Sequence, residues 1–598
     1  MYLWHMTKKN AQQIPVWNLG NTTLRNPNRI ARGLRLFAEE FQGKVYGSRE
    51  EAEFAARLAK EGIVETEGKN DAWFGRKWRS AFVKLGFATD KDVKIHSKTI
   101  KAQLFPQYLP ELQLSGLPYE LTPVGHRLLD ASQGASSTAI EDVYLRQLTM
   151  LELPSPIEPR FLNGKMKPFI LLLQILDMFR SKNLRGLTKT EIGAFIQIFN
   201  NHDNDLAQRI VLDIQAYRRK RSSIVGKVKR RDYDQRTLEQ SSERTRIKPE
   251  SLRDYADTTA RYSILTGVIA WDGSRLVLRE AKISLVKAIL AEPLVFFSES
   301  DPWRYLKEFY VGKQLPLDDA AFALGEIRIL SKELKKLGQP HPPETASVSV
   351  STPIQDLNRL RYQIADRLTE AREEAFASMQ CQSQALIEIA DYLEALKTSS
   401  AAKALYIFDK AAFLEWTVWR AFLAIDRIVG AISSTRRFPL DQDLRPRDVA
   451  PGNGADMVFE FDDFVLVVEV TLLCTSRQEA AEGEPVRRHV ATVAATTKKP
   501  SLGLFVAPKI DPNTLFTFSS GLWYRGDKAE NVNIVPLTLD QFRDIFNHFQ
   551  TKRFAPRDLR VLLESCIAAR INDPARWQAT IGEKVSKWLS ADVQVPVS

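Results

Sequence analysis

Apolar positions recur every three or four residues over long stretches of the chain and alternate over short ones, which predicts helices interleaved with short strands. Ala72–Leu85 (AWFGRKWRSAFVKL) has helical spacing, carries three basic residues before its last turn and stops at Gly86. Tyr119–Leu129 (YELTPVGHRLL) reads as a short strand turning into a helix with Pro123 in its first turn. Helix, strand, strand, helix is compatible with a winged-helix unit. A second such unit is expected further on. There Thr188 and Glu191 have capping-box spacing within Leu187–Phe195. Leu252–Leu278 then gives a helix closed by Gly267 and two strands joined through Asp272-Gly273.

The pattern changes at about residue 295. His341–Pro353 is a Pro/Ser/Thr-rich connector, and Asp356–Lys397 predicts a long charged amphipathic helix, read as a spacer. Ala404–Val429 predicts a strong helix, and its apolar stripe of Phe408, Ala412, Trp419 and Phe422 has Glu415 in the middle. Met457–Phe461 and Phe464–Val470 are strand-like and separated only by Asp462-Asp463. A two-residue turn there sets Phe461 opposite Phe464 and, counting outward, Asp456 opposite Glu469. Glu482 and Glu484-Pro485 precede a predicted helix over Val486–Thr497, and Leu502–Ala507 and Val532–Leu537 predict two more strands, each leading toward a helix. This order gives an α/β sandwich around a mixed sheet. The expected domains are 1–150 and 151–294 (winged-helix-like), 295–400 (helical linker) and 401–598.

Composition narrows the class. A chain of 598 residues is too long for one core, and 44% hydrophobic with 26% charged residues suits a folded protein. No apolar run has spanning length and the N-terminal MYLWHMTKKN has no signal-peptide core, so a cytoplasmic address and no membrane partner are expected. Cys381, Cys474 and Cys566 are far apart and odd in number, which predicts free thiols and no zinc site. The net charge of +11 favours a polyanion, nucleic acid above all. Ala216–Arg231 (AYRRKRSSIVGKVKRR) is the densest basic segment. A solvated loop is the ordinary meaning of such a run. Beside two helix-and-wing candidates, phosphate contact is the better reading. The candidates are Arg76, Lys77, Arg79, Arg253 and Arg261 on the helices, with Arg218, Arg219, Lys220 and Arg221 in the basic segment. Arg487, Arg488 and His489, at a helix start, could meet a phosphate or simply face water.

The carboxylates carry the chemistry. Glu469 sits in an apolar strand, where a charge is costly unless compensated. Opposed side chains on neighbouring strands lie about 4.5–5.5 Å apart, so Asp456 and Glu469 call for a shared proton or a divalent cation. Oxygen ligands without His or Cys select a hard ion such as Mg²⁺, equipped for phosphodiester hydrolysis. Taken singly, each acid is a surface residue or the partner of an arginine such as Arg420, Arg427 or Arg436. Convergence of Glu415, Asp456 and Glu469 on one helix and one hairpin favours the metal.

A resemblance extends this reading. Asp456…Val468-Glu469-Val470 on a hairpin, preceded by a helical Glu, resembles the PD-(D/E)XK nuclease core. PGNGADM…VVEVT…EGEPVRRH, and YADTTARYSILT at Tyr255–Thr266, resemble the AlwI family of type IIS restriction endonucleases. That family also includes large subunits of heterodimeric nicking endonucleases. The resemblance implies a multidomain α+β chain with winged-helix-type DNA-recognition modules, a helical linker and a C-terminal α/β PD-(D/E)XK nuclease domain. It implies binding of a short asymmetric site in double-stranded DNA and Mg²⁺-dependent cutting a few base pairs to one side, of one strand or both. The implied catalytic set is Glu415, Asp456, Glu469 and Glu482, with Asp456 and Glu469 on the metal. Implied partners are a small nuclease subunit or transient self-association through the C-terminal domain, and a cognate DNA methyltransferase. Two positions depart from the broad pattern: Thr471 stands where the lysine is usual and Ala455 where proline is. Lys498, Lys499, His489 or a second metal are the candidates left for activating water. The competing readings are an inactive sequence-specific DNA-binding regulator and a recombination-associated nuclease.

Overall fold

The computed structural model describes residues 16–24, 26–44, 47–64, 72–89, 120–134, 136–158, 164–199, 201–272, 274–297, 301–340, 342–405, 407, 409–425, 427–452, 454–551 and 555–590. The chain forms two compact units, the first from residues 1–331 and 341–366, the second from 332–340 and 367–598. Tyr119, Gly273 and Phe408 lie outside the described residues.

Unit 1 is mostly helical. The amphipathic run after Asp71 forms α1 (Ala72–Lys84), which buries Trp78 and Phe82 and ends just before Gly86. The predicted strand-to-helix turn is present. β1 (Ala88–Thr89) pairs antiparallel with β2 (Glu120–Leu121), and Thr122 caps α2 (Pro123–Gln133) by accepting from Gly125 N–H. The capping box at Thr188 and Glu191 forms as expected, but it starts one short turn that passes into a π-helical stretch at Ile192–Ile196. The basic segment is helical rather than a loop. It joins α3 (Leu206–Ser223) to α4 (Lys227–Thr245) through a three-residue turn. α5 (Pro249–Ile264) leads into the expected hairpin, β4 (Ile269–Asp272) against β5 (Arg275–Leu278), and β3 (Leu187–Thr188) joins β5 to make three strands. The core of this unit runs through Phe37, Phe54, Phe82, Tyr144, Phe169 and Tyr262.

Asp356–Lys397 departs from expectation. It is two helices, Ile354–Met379 and Ser383–Ala395, not one. No Gly or Pro marks the break. Instead the Gln380 amide donates to the Phe376 carbonyl while its oxygen accepts from the buried Arg420, a tertiary contact that pattern alone does not reveal.

Unit 2 is an α/β sandwich on a mixed four-stranded sheet. Its strands are β6 (Met457–Glu460), β7 (Val465–Val470), β8 (Ser501–Ala507) and β11 (Ile534–Thr538), in the order β11-β8-β7-β6. β6 and β7 run antiparallel, and the other two pairings are parallel. The hairpin has the expected register: Met457 faces Val468 and Glu460 faces Val465, while Phe461 N–H donates to Phe464 O at 2.9 Å. The helix carrying Glu415, α6 (Lys410–Leu423), is shorter than Ala404–Val429. Asp409 cuts it at the front by capping Ala411 and Ala412 N–H, and past its end Val429 N–H leaves for the carbonyl of Glu460. Nor is there a stripe, because every residue from Ala412 to Leu423 is buried. The hairpin β9 (Leu522–Arg525) and β10 (Lys528–Asn531) was not expected, although its Gly526-Asp527 turn is a readable signal.

Candidate active site

The carboxylates gather where β6 begins and β7 ends. The Asp456 carboxylate accepts from Val470 N–H at 3.0 Å, which bridges the two strands just beyond their last paired residues. Glu469, 5% exposed, lies on the same face as Val467 and Val465. On that face packs α7 (Glu484–Thr496), and Gly503 on β8 sets how closely. A Cβ at Gly503 would stand 2.8 Å from Val490 and 2.9 Å from Ile534, so only glycine lets the helix settle here. This approach brings His489 Nδ1 to 2.6 Å from Glu469 Oε1. α6 supplies the third acid from elsewhere in the core: Glu415, also 5% exposed, accepts from Ala450 N–H at 2.7 Å. Glu482 lies in a π-helical turn, Glu479–Gly483, that runs directly into α7.

Electrostatics confirm the crowding. Burial, then the charge of Asp456, pushes Glu415 well above the ordinary carboxyl range. Burial and the Glu469 carboxylate do the same to Asp456. Glu469 is raised to about 8 by burial and by Glu482, against the pull of Asp456 hydrogen bonds and the charge of Arg437. Glu482 is raised to about 7 by burial, while a hydrogen bond with Thr471 opposes the rise. His489 is lowered, first by burial and then by Arg488. Four acids and one imidazole thus share one field. Arg437 is the residue that sequence reasoning missed. Its N–H donates to the Asp456 carbonyl at 3.0 Å and its exposed guanidinium biases both Glu469 and His489.

Two of the three arginines considered as partners for a buried Glu have other duties. Arg420 binds Gln380 and Glu388, and Arg436 makes a bidentate pair with Glu373 at 2.6 and 2.7 Å. Among the described residues no three His, Cys, Asp or Glu side chains form a cluster that would hold a metal ion by itself. The three cysteines are free. Among the described residues no helix is long and apolar enough to cross a membrane.

The basic candidates are scattered. Arg76 is exposed, Lys77 lies over the Trp73 ring and Arg79 pairs with Glu51. Arg218 is bidentate on Glu191, Arg221 is bidentate on Asp234, and Arg219 and Lys220 are exposed. Arg253 binds Gln235, and Arg261 pairs with Asp257. In unit 2, Arg487 lies over the Trp523 ring and Arg488 pairs with Glu484, whereas His489 belongs to the carboxylate cluster.

No curated protein matches the chain. Two solved structures are similar to parts of it. One is the small subunit of the heterodimeric restriction endonuclease R.BspD6I, at 21% identity and a TM-score of 0.28, over 33% of this chain and 97% of that one. The other is the BpuJ1 endonuclease binding domain, in complex with pyrene- and phenanthrene-modified DNA. It has 11% identity and a TM-score of 0.30, over 51% of this chain and 99% of that one. The AlwI restriction endonuclease family matches residues 83–545, and the chain belongs to that family.

Proposed function

We propose that this protein is a type II restriction endonuclease that binds a short asymmetric duplex site and hydrolyses a phosphodiester a few base pairs to one side, with Mg²⁺ as its cofactor. The observation that carries this reading is the buried meeting of Asp456 and Glu469, whose surroundings leave both carboxyls above their ordinary values. Mg²⁺ keeps several waters and needs only one or two protein carboxylates, so the pair suits it without a complete cage. Asp456 and Glu469 would hold it. When bound, the ion supplies Lewis-acid polarisation of the scissile phosphate and neutralises charge developing on its oxygens.

The chain's own groups do the rest. His489 fixes the orientation of Glu469 through Nδ1, as outer partners of metal ligands do. Glu482 titrates near neutrality and stands beside Thr471, the position of the missing lysine, so it is suited to take a proton from the attacking water. Glu415 is anchored on Ala450 N–H and adds negative potential that favours a cation. Unit 1 reads the DNA through winged-helix-type modules, with α5 and the β4–β5 hairpin as the second of these. One active site cuts one strand at a time. The second strand needs self-association through unit 2 or a small nuclease subunit, and a cognate methyltransferase protects the host's own sites.

The test is cleavage of supercoiled plasmid with Mg²⁺, with an EDTA control and sequencing of the ends. Discrete ends at a fixed offset from one asymmetric sequence are expected. Asp456→Ala or Glu469→Ala should abolish cutting yet retain sequence-selective binding in a gel shift. Cutting at the wild-type rate by either variant would sink the assigned site. An intact plasmid with selective binding by the wild type would make the protein an inactive regulator.

A further inference from the structure

Two kinds of arginine flank the turn between α3 and α4. On α3, Arg218 and Arg221 are consumed within the fold, whereas Arg219 and Lys220 beside them are exposed. Arg218 forks onto Glu191 at 2.7 and 2.8 Å and also donates to the Arg185 and Gly186 carbonyls. Arg221 forks onto Asp234 at 2.6 and 2.9 Å, and the same carboxylate accepts from Tyr217 at 2.5 Å. Tyr217 stacks on Tyr233 with ring centroids 5.5 Å apart. These contacts latch the two helices together. Residues 219–231 hold seven basic residues and no acid, the next acid being the exposed Asp232; of the seven, Arg221 belongs to the latch and Arg230 donates to the Ile224 carbonyl. Arg219, Lys227, Lys229 and Arg231 are exposed. At the apex Val225 is 84% exposed and Val228 64%, and Gly226 turns the chain at φ +98.

A strongly cationic tip with an apolar apex is unusual on a solvated surface. Charge alone needs no valines, and valines alone would be an aggregation liability. The combination fits a groove of duplex DNA, where apolar side chains meet deoxyribose between two rows of phosphates. We infer that the α3–α4 tip is a sequence-independent clamp, with Val225 and Val228 seated in the minor groove and Arg219, Lys227, Lys229 and Arg231 on the flanking phosphates. The inference rests on reading unit 1 as the DNA-binding half. It assigns the tip to holding the duplex and leaves base reading to other elements.

Salt dependence tests it, because each phosphate contact contributes about 0.9 to the slope of log affinity against log salt. Binding of the full chain to a duplex carrying its site, and to a scrambled duplex, would be measured across a salt series in EDTA. The quadruple variant Arg219→Gln, Lys227→Gln, Lys229→Gln, Arg231→Gln should lower the slope by roughly 3 to 4 on both duplexes. Between about 50 and about 200 mM salt, its affinity should fall roughly 100-fold less than that of the wild type. The ratio of the two affinities should stay as in the wild type. Val225→Ser with Val228→Ser should weaken both complexes several-fold and leave the slope alone. All of these residues are exposed, and an unchanged circular-dichroism melt verifies the fold. An unchanged slope in the quadruple variant overturns the clamp. Loss of discrimination overturns its sequence independence, and unchanged affinity of the valine variant overturns the groove seat. If the wild type binds no duplex, the proposed function itself falls.

Discussion

Replacing Glu469 by Gln should stabilise the metal-free protein at alkaline pH and destroy its response to Mg²⁺. The Glu469 carboxyl ionises at about 8 in the fold against an ordinary 4.5. A folded value above the unfolded one means that stability is fully present below the unfolded value and is lost as pH rises through the folded one. Across that window the loss is about 5 kcal/mol at ~1.4 kcal/mol per pH unit. The groups facing Glu469 are Asp456, Glu482, His489 and Arg437, and the acids among them titrate against the same field. Removing one charge therefore recovers only part of the loss, roughly 2–3 kcal/mol. The Gln amide still meets His489, at a cost of about 1 kcal/mol for a poorer hydrogen bond. Calorimetry in EDTA should show wild type and variant melting within a few degrees near pH 5, and the variant melting about 3–8 °C higher near pH 8. Added Mg²⁺ should raise the wild-type transition at the upper pH and leave that of the variant unmoved. A variant that melts below wild type by the same margin at both pH values would refute the argument, because Glu469 would then carry no ionisation cost.

Three other outcomes follow from the packing. Gly503→Ala forces α7 away from the sheet, because the new methyl meets Val490 and Ile534; a loss of roughly 1–3 kcal/mol in denaturant melts is expected, with slower plasmid cleavage as His489 leaves Glu469. Arg361→Met strands Asp142, which otherwise binds Arg361 and Tyr362 inside unit 1, and should cost about 3–5 kcal/mol; Arg361→Met with Asp142→Leu should recover most of it in the same melt. Cys566 is buried and its thiol is pushed up to about 11, so iodoacetamide followed by mass spectrometry should label the exposed Cys381 and Cys474 in the native protein and spare Cys566 until it unfolds.

What the sequence reveals of this site depends on how far each constraint travels along the chain. The β6–β7 register is local: a two-residue turn and an uninterrupted valine strand fix it, so Asp456 and Glu469 can be matched by counting, and the structure keeps that register. The boundaries of α6 are less visible. Asp409 is an ordinary cap residue, yet the apolar run on both sides of the helix masks its ends, and the departure of Val429 toward Glu460 depends on a strand about 30 residues away. In sequence His489 follows two arginines at a helix start, where it could meet a phosphate, face water or activate it. Its real partner, Glu469, is reached only because Gly503, on a third element, lets α7 approach. The same reasoning divides the basic segment. Sequence gives Arg218 and Arg219 equal standing. Only the fold shows that Glu191, 27 residues earlier, neutralises the first and leaves the second exposed to solvent. Charge runs therefore locate an electrostatic face, but which cations remain available to a polyanion is decided by carboxylates elsewhere in the fold. At the α3–α4 tip residues 219–231 carry no carboxylate, and that acid-free stretch distinguishes a clamp from a structural hairpin.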